Sequence, residues 1–300
     1  MSASTSGVTA NSQTLQASYA YCETLTKEQA RNFYFSFMTL DAARRLSMCA
    51  IYAFMRISDD VSDEAGDDRE ERMAAWTAEV SAALNGNFSE RQLWPAFYHT
   101  VTTYSIPHQY FFDLLKGTGM DLVRTRYETW NDLSRYCYHV ASVVGFVCIY
   151  VWGFDTSDEN VLQYAESCGL ALQLTNILRD IQEDIQRDRV YLPQEELRRF
   201  GVTEDMLLQG DCSSAFVALM EFETARAEGL YQDAWKLVPL IQPSARPTLR
   251  IMIRIYYGIL LAIKRNQYNV FRTRASVSTP TKLAIVIGEW IRSRFAPMGK

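Results

Sequence analysis

The stretch "CGLALQLTNILRDIQEDIQRDRVYLP", from Cys168 to Pro193, decides the fold class of this 300-residue chain. Its apolar residues recur at the three- and four-residue intervals of a helix. A row of polar residues interrupts them at intervals of three, four and four: Gln173, Asn176, Asp180 and Asp184. Residues at those intervals share one face of a helix. The stretch therefore predicts a long buried helix with one polar stripe.

A second stretch, "YAFMRISDDVSDE" from Tyr52 to Glu64, has the same organisation. Helical spacing places four polar side chains on one stripe: Tyr52, Arg56, Asp59 and Asp63. An isolated acidic cluster is usually a solvated helix end, and that interpretation stays open for Asp60 and Glu64, which point off the stripe. Negative charge at the C-terminal end of a helix also opposes the helix dipole. Because two matching stretches occur in one chain, a functional pair explains them better.

Polar groups among apolar side chains need partners. Carboxylate and amide oxygens are the ligands that Mg²⁺ prefers, and Mg²⁺ commonly takes further ligands from substrate phosphates. Two facing helices, each with a D-x-x-x-D pair, therefore predict a small magnesium cluster that binds a diphosphate. Arg56 and Arg179 are predicted to contact the phosphate oxygens directly. The spacing does not fit an EF-hand, because the first Gly after Asp60 is Gly66, at the seventh position instead of the sixth. A zinc or di-iron site is not indicated either, since no His lies near the carboxylates.

Composition narrows the class of partner. The chain is 48% hydrophobic, which is enough for a large core, and its net charge of −5 is spread along the sequence. No uniformly basic surface is indicated, so nucleic acid is not an expected partner. The six cysteines form no CxxC pair and predict reduced, mostly buried thiols in a cytosolic protein. The longest uncharged run, from Tyr136 to Phe154, predicts a buried core helix rather than a membrane span.

Residues 1–18 and 19–300 differ in composition and in predicted structure. The first range begins with small and polar residues and is predicted to be a disordered tail. The second is predicted to be one all-α domain of about ten helices, because apolar helical periodicity recurs and almost no strand alternation is present.

Four segments resemble the squalene/phytoene synthase family in order and spacing: Tyr52–Glu64, "YCYHVASVVG" (Tyr136–Gly145), "QLTNILRDIQED" (Gln173–Asp184) and "RVYLP" (Arg189–Pro193). The resemblance extends from about Tyr19 to the C-terminus. It implies the isoprenoid synthase fold, a single helical domain around a central apolar cavity. It also implies a magnesium-dependent prenyltransferase that joins two allylic prenyl diphosphates head to head through a cyclopropylcarbinyl diphosphate.

The same resemblance assigns site residues. The magnesium ions, two or three in number, would be held by Asp59, Asp63, Asn176, Asp180 and Asp184. The diphosphate would be bound by Tyr52, Arg56 and Arg179. Tyr136 matches the active-site tyrosine, and three further residues would line the site: Gln173, Tyr256 in "RIYYG" and Arg274 after "YNVF".

Two positions depart from the family pattern. Asn32 stands where many relatives have Thr or Ser, although an Asn side chain still hydrogen-bonds phosphate oxygens. Ser142 replaces a frequent Gly and is predicted to narrow the helix packing or the pocket there.

The resemblance leaves the substrate open. The first interpretation is the coupling of two farnesyl diphosphates to presqualene diphosphate or a C30 product, and the alternative is a phytoene synthase that uses two geranylgeranyl diphosphates. A catalytically silent lipid-binding or assembly-factor relative is disfavoured, because the motif aspartates are all present. NADPH is not expected, since no dinucleotide-binding motif occurs. We expect a cytoplasmic monomer or weak homodimer whose lipid products suit peripheral contact with the inner face of the membrane, although no strongly basic amphipathic helix marks where.

Overall fold

The computed structural model describes residues 12–29, 34, 36–64, 66 and 68–295. Within these ranges the side chains at 63, 121–123, 294 and 295 are not described. The described part of the chain is helical, and its extended features are limited to two isolated β-bridges, Arg126–Val190 and Phe154–Ile241. The all-α class predicted from periodicity is therefore confirmed.

The α-helices, numbered in chain order, are α1 (Ser12–Gln29), α2 (Ala42–Asp63), α3 (Arg69–Leu84), α4 (Trp94–Thr103), α5 (His108–Val123), α6 (Trp130–Cys137), α7 (Val143–Trp152), α8 (Val161–Gln186), α9 (Gln194–Phe200), α10 (Glu204–Gln209), α11 (Ser214–Leu237), α12 (Arg246–Arg265) and α13 (Thr279–Phe295). A π-helical turn, Tyr138–Ser142, joins α6 to α7. A 3₁₀ turn, Val238–Leu240, follows α11.

Helix α8, which contains the motif "NILRDIQED", lies at the centre of the fold. It packs against α7, α11, α12 and the π turn. Its side chains Leu174, Leu178 and Ile181 are buried, and the burial of each such side chain contributes roughly 1.5–3 kcal/mol. A helix that packs against other helices over most of its surface carries apolar side chains over most of that surface. The predicted buried helix is therefore confirmed.

The longest uncharged run forms the end of α6, the π turn and α7. Val143, Val147 and Val151 are buried, so the prediction of a core segment is confirmed. Of the described helices, none is long and apolar enough to cross a membrane. A π turn accommodates an extra residue in a helix and is frequent at functional sites.

Helix α1 begins at Ser12, inside the range 1–18 that the sequence assigns to a tail. Ser18 is buried, and its Oγ accepts a hydrogen bond from the Ala96 N–H of α4 at 2.9 Å. The start of this helix is polar and is anchored by a hydrogen bond, so a search for apolar periodicity does not find it. Residues 1–11 lie outside the described range.

The cysteines are free thiols, and all except Cys212 are buried. Burial raises the pKa of the Cys148 and Cys168 thiols to about 12. Both therefore stay neutral near physiological pH and behave as small apolar residues. The prediction of unpaired, mostly buried thiols is confirmed.

Gly169 lets helix α8 approach the π turn closely. A β-carbon at Gly169 would lie 2.5 Å from the Ser142 Cα and 2.9 Å from the Ala141 carbonyl carbon. Ser142 is fully buried and donates a hydrogen bond to the Glu166 carbonyl at 3.0 Å. The obstructing atoms belong to backbone, so no side-chain rotation relieves the contact. The backbones of α8 and the π turn therefore approach closely at Ser142, and the narrowing expected from the Ser142 side chain stays a prediction.

Replacing Gly169 by Ala is expected to destabilise the protein by about 1–3 kcal/mol, because overpacking forces the backbone to shift. The same shift displaces Gln173 and Asn176, which lie about one and two turns further along α8, so turnover is expected to fall as well. Chemical denaturation and an activity assay measure the two effects. The control is Gly229→Ala in α11, where nothing lies within 4 Å of the added β-carbon. Equal stabilities of the two variants would contradict the packing argument.

Candidate active site

An outer cavity of about 460 Å³ lies beside helix α2. Asp41 caps this helix, since its side chain accepts a hydrogen bond from the Arg44 N–H at 2.9 Å. The helix presents one face to the cavity, formed by Met48, Tyr52, Met55, Arg56, Asp59 and Ser62. The polar stripe predicted from spacing therefore borders a cavity at Tyr52, Arg56 and Asp59.

The remaining walls of the outer cavity combine apolar and polar side chains. The apolar members come from several helices and from the segment before α2: Phe37, Leu114, Val140, Val144, Cys148 and Met252. Tyr136, Gln173 and Arg189 are among the polar members. The cavity thus combines hydrocarbon walls with charged or hydrogen-bonding groups, which suits an amphiphilic ligand.

An inner cavity of about 160 Å³ adjoins the outer one, and both are lined by Val140, Val144, Cys148, Gln173 and Met252. Walls that it does not share with the outer cavity are mostly apolar, and Ile149, Trp152, Leu172, Leu237 and Leu249 are among their residues. Asn176 and Tyr256 add polar groups at its border. The two cavities together offer apolar space next to polar side chains of α2 and α8.

The Arg56 side chain is held by an ion pair, whereas the pKa of Tyr52 is shifted by burial and by nearby charges. Arg56 forms an ion pair with Asp60, one turn further along α2. Asp60 is not among the described residues that line the outer cavity, and its carboxylate holds the Arg56 guanidinium. Burial raises the pKa of Tyr52, and the carboxylates of Asp59 and Asp60 add to the shift while Arg56 opposes it. Tyr52 accordingly stays a neutral hydrogen-bond donor.

Asp180 lies at the centre of an ion-pair cluster. Arg274 donates two hydrogen bonds to its carboxylate, from Nε to Oδ1 at 2.8 Å and from Nη2 to Oδ2 at 2.9 Å. Arg179 Nε donates another to Oδ1 at 2.7 Å. Burial disfavours the charged form, but these hydrogen bonds outweigh it and hold the pKa of Asp180 below its ordinary value. Asp180 is therefore a carboxylate that joins α8 to the segment before α13.

Two other side chains of the α8 stripe, Asp184 and Asn176, are not fully balanced by hydrogen bonds or opposite charges. Burial raises the pKa of Asp184 to about 7, with a further contribution from the Asp180 carboxylate. Asn176 Oδ1 is buried without a hydrogen-bond partner, although the Asn176 side chain also hydrogen-bonds Tyr256. Both a buried acceptor without a donor and a buried carboxyl beside another carboxylate are stabilised by a nearby cation.

A divalent cation fits this donor set. Asn176 Oδ1, Asp180 and Asp184 supply the hard oxygen atoms that Mg²⁺ prefers. Across the described ranges, no three Asp, Glu, His or Cys side chains are grouped closely enough to hold a metal ion by themselves. A metal at this stripe would therefore take part of its coordination from water or from a phosphate-bearing substrate, which is usual for Mg²⁺.

Tyr136 is buried within a group of three tyrosines. Its ring centroid lies 5.3 Å from those of Tyr127 and Tyr191, and the Tyr191 ring is stacked on it at 20°. Such packing fixes the direction of the ring. The same side chain lines the outer cavity, so the fold presents the predicted active-site tyrosine to that space.

The structure leaves two predicted residues undetermined and adds one. Asn32 and the Asp63 side chain lie outside the described residues. Arg189 lines the outer cavity, although the sequence indicates it only as part of the motif "RVYLP". It lies in the loop after α8, and helical spacing does not carry information about loop positions. Its place three residues beyond the end of that helix is the sequence signal that could have suggested it.

Comparison with known proteins identifies the family. The family model for squalene/phytoene synthase matches residues 26–281. A 15-cis-phytoene synthase of Synechocystis sp. is 34% identical over 292 residues, covering 93% of this chain and 86% of the relative. A chloroplastic phytoene synthase of Daucus carota is 32% identical over 289 residues, covering 94% of this chain and 72% of the relative.

Solved structures share the architecture. A crystal structure of a dehydrosqualene synthase in complex with ligand is 30% identical, with a TM-score of 0.85, and the match covers 94% of this chain and 98% of that chain. A squalene synthase from Alicyclobacillus acidocaldarius is 27% identical, with a TM-score of 0.80 and coverage of 85% and 96%. The isoprenoid synthase fold expected from the motifs is confirmed. The chain belongs to the squalene/phytoene synthase family of prenyltransferases.

Proposed function

We propose that the protein couples two molecules of geranylgeranyl diphosphate head to head to give phytoene, with release of both diphosphates. The observation that carries the proposal is the pair of adjoining cavities, in which polar side chains of α2 and α8 border an otherwise apolar space. This combination suits a substrate with a diphosphate head and a long hydrocarbon chain.

The choice of substrate departs from the interpretation that the sequence placed first. The relatives named phytoene synthase support geranylgeranyl diphosphate over farnesyl diphosphate. Coupling of farnesyl diphosphate to a C30 product is the second candidate, because a dehydrosqualene synthase shares the fold at 30% identity. Phytoene formation expels two diphosphates and two protons without a reductant, so NADPH has no part in the proposed reaction.

Magnesium belongs to the same proposal. Two or three Mg²⁺ ions would be held by Asp59, Asp63, Asn176, Asp180 and Asp184. Bound Mg²⁺ supplies Lewis-acid stabilisation of the departing diphosphate. Tyr52 and Arg56 donate hydrogen bonds to the phosphate oxygens from the edge of the outer cavity. Arg179 and Arg274 keep the Asp180 carboxylate charged and add positive charge where the diphosphate binds.

The apolar walls and Tyr136 have separate tasks. An allylic cation formed after departure of diphosphate reacts with water unless water is excluded, and the walls shared by the two cavities exclude it. Tyr136, fixed by Tyr127 and Tyr191, handles the proton lost in coupling or steers the diphosphate. Gln173 and Tyr256 line the space in which the chains lie.

The proposal extends to the location and the oligomeric state of the protein. We place the protein in the cytoplasm as a monomer or weak homodimer. Because substrate and product are lipids, the proposal includes peripheral contact with the inner face of the membrane.

Purified protein incubated with Mg²⁺ and geranylgeranyl diphosphate is expected to form phytoene, identified by its mass, with or without NADPH. A chelator is expected to stop product formation. A parallel reaction with farnesyl diphosphate is the control. A C30 product from farnesyl diphosphate and none from geranylgeranyl diphosphate would replace the first candidate by the second, and the absence of any coupling product would contradict both.

A further inference from the structure

Helix α8 ends in a turn whose backbone conformation favours glycine, although the residue there is Asp188. The φ angle of Asp188 is +57°, in the left-handed region that non-glycine residues seldom adopt. Two hydrogen bonds close the turn, from the Asp188 N–H to the Ile185 carbonyl at 3.1 Å and from the Arg189 N–H to the Asp184 carbonyl at 2.9 Å. Many helices end in this way, usually with Gly as the left-handed residue. Another residue persists there only where its surroundings hold it.

Arg126, which lies between α5 and α6, holds this turn. Its Nη1 donates a hydrogen bond to the Asp188 carbonyl oxygen at 2.6 Å, and its Nη2 donates one to the Asp188 carboxylate at 2.7 Å. The same guanidinium donates to both carboxylate oxygens of Glu204 at 2.8 Å. Glu204 also accepts a hydrogen bond from the Gln194 side chain at 3.1 Å. Arg126 is therefore fixed by one carboxylate and holds both the backbone and the side chain of Asp188.

The chain after Asp188 is tied to the segment that contains Arg126. The Val190 N–H donates a hydrogen bond to the Thr125 carbonyl at 2.9 Å, and Arg126 and Val190 form a parallel β-bridge. The backbone is thus held on both sides of Arg189. Arg189 lines the outer cavity, so its side chain enters that space from a fixed starting point.

Stability alone does not account for the contacts of Asp188. Its side chain is 85% exposed, and an ion pair so open to water adds little to the free energy of unfolding. A glycine would adopt the same φ angle without strain. Strained residues that specific contacts hold in place are concentrated at functional sites. Here the next residue along the chain, Arg189, is the one that lines the outer cavity.

We infer that Arg126 is a positioning residue of the candidate active site, which acts through Asp188 to direct Arg189 toward the outer cavity. The inference rests on the proposed function in one respect: the anion that a directed guanidinium meets in this cavity is a diphosphate. Charge-assisted hydrogen bonds depend on angle as well as distance, so an arginine that is already directed binds more tightly. Arg126 is not among the described residues that line the two cavities.

The experiment measures the dissociation constant of inorganic diphosphate, with Mg²⁺ present, for R126Q, R189Q and R126Q/R189Q. R189Q is expected to bind at least about tenfold more weakly than wild type and R126Q about fivefold, since a hydrogen bond to a charged group is lost or misdirected. If Arg126 acts through Arg189, the effects do not add, and the double variant binds like R189Q. Effects that multiply in the double variant, or wild-type affinity in either single variant, would overturn the inference.

R44Q is the matched control for a purely structural role. The Arg44 guanidinium also joins distant segments, since it donates hydrogen bonds to the Val151 carbonyl at 3.2 Å and to the Gln242 side chain at 2.7 Å. R44Q is expected to lower stability in chemical denaturation and to keep wild-type affinity for diphosphate. A loss of affinity as large as that of R126Q would assign both effects to general destabilisation and overturn the inference.

Two substitutions of Asp188 test the same contact with Arg126 in place, and they carry the test alone if R126Q does not fold. D188N keeps an oxygen acceptor and tolerates a positive φ, so it is expected to bind diphosphate like wild type. D188G relaxes the backbone but removes the acceptor, and is expected to bind about two- to threefold more weakly at unchanged stability. Equal affinities of D188N and D188G would overturn the role of Asp188.

Binding of inorganic diphosphate is measured without turnover, so this inference and the proposed function fail separately. Non-additive binding effects in a protein that forms no coupling product would contradict the proposed function and leave the positioning role standing. Phytoene formation by wild type together with additive binding effects would overturn the positioning role alone.

Discussion

Replacing Asp180 by Asn is expected to abolish turnover while the helical structure persists. Asn keeps the size of the side chain but removes the negative charge, so a divalent cation loses a ligand, and Arg179 and Arg274 lose the carboxylate that they share. Stabilisation of a leaving group by a metal is worth several kcal/mol, and about 1.4 kcal/mol corresponds to a tenfold change in rate. We therefore expect turnover to fall by at least about 100-fold.

Three measurements on the Asp180→Asn variant test this prediction: turnover, circular dichroism and the unfolding temperature with Mg²⁺ and inorganic diphosphate. The two ligands together are expected to raise the unfolding temperature of wild type but not of the variant. The control is Asp233→Asn in α11, where the carboxylate accepts a hydrogen bond from exposed Lys236 at 2.7 Å. Full magnesium-dependent turnover of Asp180→Asn would contradict the assignment of the metal site.

Replacing Arg226 by Met is expected to destabilise the protein by about 3–5 kcal/mol, because it leaves a buried carboxylate without a cation. Arg226 of α11 donates hydrogen bonds to Glu223 at 2.7 Å and to Glu196 of α9 at 3.1 Å. Its guanidinium also lies 4.2 Å from the ring of Trp130. The side chains of Glu196 and Glu223 are 6% and 0% exposed, so water does not replace the lost contacts.

The control is a substitution of Glu223, one of the two carboxyl groups beside Arg226. Burial, with Glu196 nearby, raises the pKa of Glu223 well above its ordinary value and so favours the neutral form of this group. Burial also disfavours ionisation of Glu196, but the Arg226 hydrogen bonds outweigh it and lower its pKa. Glu223→Gln is therefore expected to change the free energy of unfolding by less than about 1 kcal/mol. Chemical denaturation compares the variants, and a similarly small effect of Arg226→Met would refute this account of the cluster.

The Arg226 cluster also anchors a segment that contributes to the candidate active site. Helix α9 begins at Gln194, directly after the segment that carries Arg189 and Tyr191. Arg189 lines the outer cavity, and Tyr191 stacks on Tyr136. We therefore expect Arg226→Met to lower turnover as well as stability, since α9 anchors this segment to α11.

Helical spacing places the polar residues of α2 and of α8 in two stripes, and part of each stripe borders a cavity. Tyr52, Arg56 and Asp59 border the outer cavity, and Gln173 and Asn176 border the inner one. Intervals of three and four residues keep side chains on one face of a helix whatever surrounds it. The all-α class was predictable for the same reason, because apolar periodicity reports on local structure.

Contacts between distant segments could not be predicted in this way. Arg274 and Asp180 are 94 residues apart in sequence, and their pairing depends on where the segment before α13 crosses α8. The Glu196–Arg226 pair depends in the same way on the packing of α9 against α11. Apolar residues at helical spacing predict a core position, yet Ile287 and Ile291 are exposed. Which side of a helix meets the core is decided by its neighbours.

The decisive measurement offers geranylgeranyl diphosphate and farnesyl diphosphate together to the purified protein with Mg²⁺ and identifies every coupling product by mass. We expect phytoene as the main product, formed only while Mg²⁺ is present, and no phytoene from Asp59→Asn protein. A C30 product in excess of phytoene would contradict the proposed substrate. Phytoene formed at the same rate after chelation of Mg²⁺, or by Asp59→Asn protein at the wild-type rate, would contradict the role proposed for the two polar stripes.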